Sequence, residues 1–145
     1  MNALGNSVIL GRLLEALVLS ALVGLEREVF RKPAGIRTHI LVGIGSAVMM
    51  IVSLGVGGDP GRIAAQAVTG IGFLGAGAII HAQGGLVFGL TTAATIWVTC
   101  GIGLACGAGL HGVAWLASGL TLGTLLVIGG IEKKLEKRGG PRRRE

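Results

Sequence analysis

The chain has no tyrosine, and only three phenylalanines and two tryptophans in 145 residues. It therefore offers no aromatic platform on which nucleic-acid bases could stack. Charge is also scarce. Asp, Glu, Lys and Arg make up 14% of the sequence, against roughly 25% in an average soluble chain. No H-E-x-x-H helix, nucleophile elbow or Walker loop is present, and His39, His81 and His111 lie far apart, so no enzyme and no cofactor is expected. Nothing in the spacing names a metal site. The two cysteines, Cys100 and Cys106, fall in one apolar segment. Six residues of helix would hold them about 9 Å apart along its axis, too far for a disulfide. They read as core residues. A cleavable signal peptide is not expected either, because the first apolar segment carries Arg12 and Glu15 and no basic stretch precedes it.

What is abundant is apolar and small. Hydrophobic residues make up 51%, mean hydropathy is +0.77, and there are 28 glycines. The glycines alternate with Leu, Ile, Val and Ala and follow no Gly-X-Y period, which excludes collagen and fits close-packed membrane helices. A helix needs about 20 apolar residues to cross the hydrocarbon core. Five segments approach that: 8–25, 40–56, 63–80, 90–105 and 113–131. The expected fold is an all-α integral membrane bundle of about five transmembrane helices, with a transmembrane domain over 1–131 and a basic cytoplasmic tail over 132–145.

The net charge of +6 invites a nucleic-acid reading, but its distribution argues for a lipid surface instead. Arg27, Arg31, Lys32 and Arg37 fill the first loop. Lys133, Lys134, Lys137, Arg138, Arg142, Arg143 and Arg144 fill the tail. With five spans, loop and tail share one side, and the positive-inside rule puts that side in the cytoplasm and the N-terminus outside.

Several motifs invite chemistry. Gly70, Gly72 and Gly75 match G-x-G-x-x-G, but no strand precedes them and no βαβ unit surrounds them, so a dinucleotide site is rejected. Pairs of small residues four apart read as helix-packing surfaces: Gly72 with Ala76, Gly101 with Ala105, and Gly119 with Gly123. Asp59 and Pro60 suit an N-cap and a first helical position. Arg62, Gln66 and Thr69 follow on one helical face, while Thr91, Thr95 and Thr99 form a stripe at i+4 steps in the fourth segment. Such stripes serve either interhelical hydrogen bonding or a conduction path. Arg62 opposes its own helix dipole, so Asp59, Arg62 and Gln66 are expected to form one hydrogen-bonded cluster. Arg12 and Glu15, three apart, are expected to pair with each other.

Three ordered blocks carry a family resemblance. They are Gly24-Leu25-Glu26-Arg27-Glu28 with Lys32-Pro33-Ala34-Gly35-Ile36-Arg37-Thr38-His39; Asp59-Pro60-Gly61-Arg62 through Gln66 and on to Gly77; and Gly89-Leu90-Thr91-Thr92 through Trp97. Together the sequence resembles the MgtC/SapB family of bacterial membrane proteins. The resemblance implies a multi-pass protein of the bacterial inner membrane, linked to magnesium limitation and survival and to virulence. It further implies a regulator acting on other membrane proteins such as the F-type ATP synthase; the alternative is a channel or transporter for magnesium or a small solute using the polar faces of segments 3 and 4. Motif positions carried over are Glu26, Arg27, Pro33, Arg37, Asp59, Arg62, Gln66 and Thr91. Two departures stand out: longer members add a soluble C-terminal domain where a short basic tail is expected here, and Phe88 stands where the family often has Arg. The glycine-rich faces left over suggest a homodimer. Expected partners are the bilayer, a second copy and other membrane proteins, with no nucleic acid.

Overall fold

The computed structural model describes residues 4–81 and 87–139. Arg142, Arg143 and Arg144 of the basic tail lie outside the described residues. The order is α1 (Asn6–Val29), α2 (Ile36–Gly55), α3 (Pro60–Gly77), a hairpin of β1 (Ile80–His81) and β2 (Val87–Phe88), α4 (Leu90–Ala108), α5 (His111–Gly123), a π-helical turn over Thr124–Ile128, and α6 (Gly129–Gly139). Ile80 pairs with Phe88 and His81 with Val87, antiparallel. This two-stranded hairpin interrupts an otherwise helical chain and is not foreshadowed by its apolar pattern. Helix α6 carries the first residues of the basic tail, through to Gly139.

Helices α1, α2 and α4 pack against one another at the centre. Their facing surfaces are built from small residues at i+4 steps: Ala16, Ser20 and Gly24 on α1, Gly43 and Ala47 on α2, and Gly103 and Gly107 on α4. A Cβ at Gly107 would stand 2.5 Å from the Ala47 carbonyl oxygen, and one at Gly24 would stand 2.7 Å from Cα of Ile36. Backbones therefore touch, which is how helices gain van der Waals contact where lipid removes the hydrophobic drive between them. The pairs expected from sequence behave differently. Ala105 is buried, but a Cβ at Gly72, Gly101, Gly119 or Gly123 would meet nothing within 4 Å, and Ala76 is exposed. In a chain this rich in glycine, many stripes satisfy the spacing, and only the placement of neighbouring helices decides which are used within one copy.

Turn chemistry fixes the helix ends. After α4, Gly109 adopts φ 79°, its N–H donates to the Cys106 carbonyl and that of Leu110 to the Ala105 carbonyl, a Schellman closure. The same pattern ends α1, with Lys32 N–H on the Arg27 carbonyl and Arg31 N–H on the Glu28 carbonyl, but there the left-handed position is Arg31 at φ 50° rather than a glycine.

These contacts define two ends of the bundle. His39 near the start of α2 meets Thr95 near the start of α4, so α1 finishes, and α2 and α4 begin, at one end, here termed the basic end. Gly107 meets Arg12, so α4 finishes where α1 begins. Helix α3 thus runs from the far end back to the basic end, packed on α4 and α2. Among the described residues, four helical stretches are long and apolar enough to cross a membrane: Asn6–Val29, Ile36–Gly55, Leu90–Ala108 and His111–Glu132. Helix α3 is not among them. Its 18 residues include Pro60, Arg62 and Gln66, which lower its hydropathy, although it bridges the same two ends. The chain is an all-α, multi-pass membrane bundle.

Candidate functional site at the basic end

The last turn of α1 brings two charges into the protein. Glu26 is 8% exposed and Arg27 is 4% exposed. Neighbours on a helix diverge by about 100° and do not normally face each other. Here Arg27 Nη2 donates to Glu26 Oε1 at 2.6 Å and Arg27 Nε donates to Oε2, a bidentate fork. Burial requires this pairing, because a lone charge in a low-dielectric setting is far costlier than a satisfied pair.

The next residues hold α2 in place. Glu28 accepts a hydrogen bond from the Ile36 N–H at 3.1 Å, putting a carboxylate on the positive end of α2. Its carboxylate fills the space that a side chain at Gly35 would need. One turn on, His39 is fully buried. Its Nδ1 donates to the Gly35 carbonyl at 2.9 Å, and its Nε2 lies 3.2 Å from Thr95 Oγ1, which is also 2.8 Å from the Thr92 carbonyl. A carbonyl only accepts, so Nδ1 carries a proton. Thr99 closes onto the Thr95 carbonyl at 2.8 Å, and Ser46 onto the Val42 carbonyl at 2.8 Å beside Cys100 Sγ.

A cavity of about 630 Å³ opens at this end, lined by Glu26, Arg27, Lys32, Thr91, the π-helical turn and Glu132. Single π turns inside helices recur at functional sites. The cavity therefore gathers both charge signs, a hydroxyl and an irregular backbone in one place.

Of the residues expected from sequence, Glu26, Arg27 and Thr91 meet at this cavity, Thr95 lies behind them in the interior, and Arg37 is exposed on the first turn of α2. Asp59, Arg62, Gln66 and Thr69 lie elsewhere, exposed on α3. Asp59 Oδ1 accepts from the Gly61 N–H at 2.9 Å, the cap expected of it. Among the described residues no bond joins it to Arg62 or Gln66, so the expected three-residue cluster does not form. The cap turns the Asp59 carboxylate onto its own helix, and the apolar side of α3, with Ile71 and Gly75, takes the inward position.

The Arg12–Glu15 pair is likewise corrected. Arg12 Nη1 donates to the Gly107 carbonyl at 2.7 Å, while Glu15 pairs with His111 Nδ1 at 2.6 Å. Each charge seeks a helix terminus of opposite polarity: the C-terminal carbonyls of α4 for arginine, the N-terminus of α5 for glutamate. Sequence reasoning missed His39 and Glu28 as organisers. The signal for His39 was its place on the i+4 line with Gly43 and Ala47. Among the described residues no three His, Cys, Asp or Glu side chains gather as a metal site.

The MgtC family's sequence model matches residues 13–134, which include the whole basic end and all of α3. The chain belongs to the MgtC family. It is 53% identical over 98 residues to protein MgtC of Salmonella typhimurium LT2, covering 67% of this chain and 42% of that one. It is 47% identical over 121 residues to YhiD of Escherichia coli K12, whose name marks it as a candidate magnesium transporter, covering 77% of this chain and 56% of that one. A protein of Haemophilus influenzae without an assigned function is 44% identical over 113 residues, covering 70% and 48%. The chain thus spans about half the length of the curated relatives it matches. No solved structure matches it. Membership ties the chain to a magnesium-related group of membrane proteins.

Proposed function

We propose that this chain is a regulator of the bacterial inner membrane, working under magnesium limitation by contact with other membrane proteins such as the F-type ATP synthase. The observation that carries this reading is that the two polar stripes do not share a space. Thr95 and Thr99 of α4 are buried and closed on His39 and on backbone carbonyls. Arg62, Gln66 and Thr69 of α3 are exposed on the outside of the bundle. A conductor needs its polar groups around one water-filled path, and the described residues of one copy do not bring these two stripes together. The basic end is assigned to the cytoplasm by the positive-inside rule: α1 ends there, and α5 runs from Glu15 at the far end back to it.

The reading predicts that purified chain in vesicles carries no Mg²⁺ flux above empty vesicles, while it lowers ATP-driven proton pumping in inverted membranes and co-purifies with the synthase. Saturable Mg²⁺ flux would overturn it in favour of transport, the reading that the name of the Escherichia coli relative supports. A cytoplasm-active reporter fused after Arg138 is expected to give signal, and one fused before Gly5 is not.

A further inference from the structure

We propose that the outward face of α3 is the docking surface for a second copy of this chain, the two α3 helices running parallel about a twofold axis along the membrane normal. This inference is independent of which protein, if any, the chain regulates.

Two helices of the bundle are mostly uncovered, and lipid suits only one of them. The His111–Glu132 stretch is 11% buried but has a mean hydropathy of 1.7, and it displays Trp115, Leu116 and Leu120. Hydrocarbon covers such a surface without cost. Helix α3 buries only Ile71 and Gly75, yet displays Arg62, Gln66 and Thr69 on the side opposite them. Thr69 satisfies itself on the Ala65 carbonyl at 3.0 Å. Arg62, in the first turn, can snorkel to the interface. Gln66 can do neither. It lies about 9 Å along the helix from Pro60 at 1.5 Å per residue, and among the described residues its amide has no hydrogen-bond partner. A primary amide facing hydrocarbon must find a partner.

A second copy fits that face on three counts. Chains inserted with one orientation are related by rotation about the membrane normal, so residues at equal depth meet in a twofold pair. The Gln66 amides then face each other, and an amide both donates and accepts, so it complements itself. Asp59 and Arg62, both exposed, lie one turn apart at the same end, so each copy offers both signs to the other. Finally, Phe73 is 84% exposed, and a Cβ at Gly70 or Gly77 would meet nothing within 4 Å. A bulky knob beside open glycines is the shape that close-packing membrane helices use.

The test uses the full chain in native membranes and in lipid vesicles. On oxidation, Gln66→Cys and Thr69→Cys are expected to give disulfide-linked dimers. Leu116→Cys, on the apolar face of α5, and the unsubstituted chain, whose own Cys100 and Cys106 are buried, are expected to give none. In vesicles, energy transfer between labelled copies should show dimers that Gln66→Leu weakens about threefold to twentyfold, the range of one interhelical polar contact. Gly72→Leu, on the flank of the same face, should weaken them too, while Gly119→Leu on α5 should not. A Cβ at either glycine would meet nothing within 4 Å, so both variants are expected to fold. A chain that stays monomeric in vesicles, crosslinks through α5 instead, or dimerises equally well as Gln66→Leu overturns the proposal.

Discussion

Arg12 donates to the carbonyl oxygen of Gly107, 95 residues further along the chain, at 2.7 Å. The bond ties the start of α1 to the end of α4. Three residues on, Glu15 holds His111 at the start of α5. The α4–α5 turn is thus gripped by two charges of one helix, each set against the opposite pole of a helix dipole.

Arg12→Ala should therefore lower the stability of the folded bundle by about 1.5–3 kcal/mol, the range for a hydrogen bond to a charged group. Glu15→Gln should cost less, about 0.2–1 kcal/mol, because the His111 side chain is 58% exposed. Unfolding titrations in mixed micelles measure both. Equal costs would mean that the Arg12 bond adds nothing beyond an exposed ion pair.

Glu26→Ala leaves the Arg27 guanidinium buried and uncompensated, and is expected to cost about 3–5 kcal/mol. Removing Arg27 as well should recover part of that loss, giving a coupling energy of about 0.5–3 kcal/mol in a double-mutant cycle. Strict additivity would show that the two side chains do not act as a pair.

Asp59 and Arg62 should show the opposite behaviour. Asp59→Ala removes the cap on Gly61 and should cost about 0.5–2 kcal/mol. Arg62→Ala, at an exposed position, should stay within about 0.5 kcal/mol, and in the monomeric chain the two effects should add. Strong coupling in monodisperse micelles would restore the cluster that the sequence suggested.

Glycine position rather than glycine number should govern tolerance. Gly107→Ala forces a methyl against the Ala47 carbonyl and the Met50 side chain, and should cost about 1–3 kcal/mol by overpacking. Gly101→Ala, on the same helix but facing open space, should be neutral or stabilising by up to about 1 kcal/mol, the helix-propensity gain. Parallel thermal melts of the two variants decide the matter.

His39 offers the sharpest contrast within the threonine stripe. Thr95→Val removes the hydroxyl from His39 Nε2 inside the bundle and should cost about 1–3 kcal/mol. Thr91→Val, at an exposed position lining the cavity, should change stability by no more than about 0.5 kcal/mol. If the two variants melt alike, the His39–Thr95 contact carries no weight.

Composition gives away the class of this protein, because a membrane constrains composition more severely than water does. Apolar stretches with little charge inside them leave no choice but helices that satisfy their own backbones. The Asp59–Pro60 cap, the glycine turn between α4 and α5 and each block of the family motif are equally readable, since each depends on residues near one another in the chain. The pairings came from contacts between distant helices. Arg12 and Glu15 looked like mutual partners because a helix places i and i+3 together, but two helix termini brought in by α4 and α5 offered each a better one. Gly103 and Gly107 became contact points and Gly101 did not, because only one side of α4 faces α2. The stripe on α3 carried the right residues for a polar cluster, yet the helix turned its apolar side inward and left Gln66 outside. Spacing fixes which side chains share a face, but the direction in which that face looks is set by the neighbouring helices, and their positions are written across the whole chain.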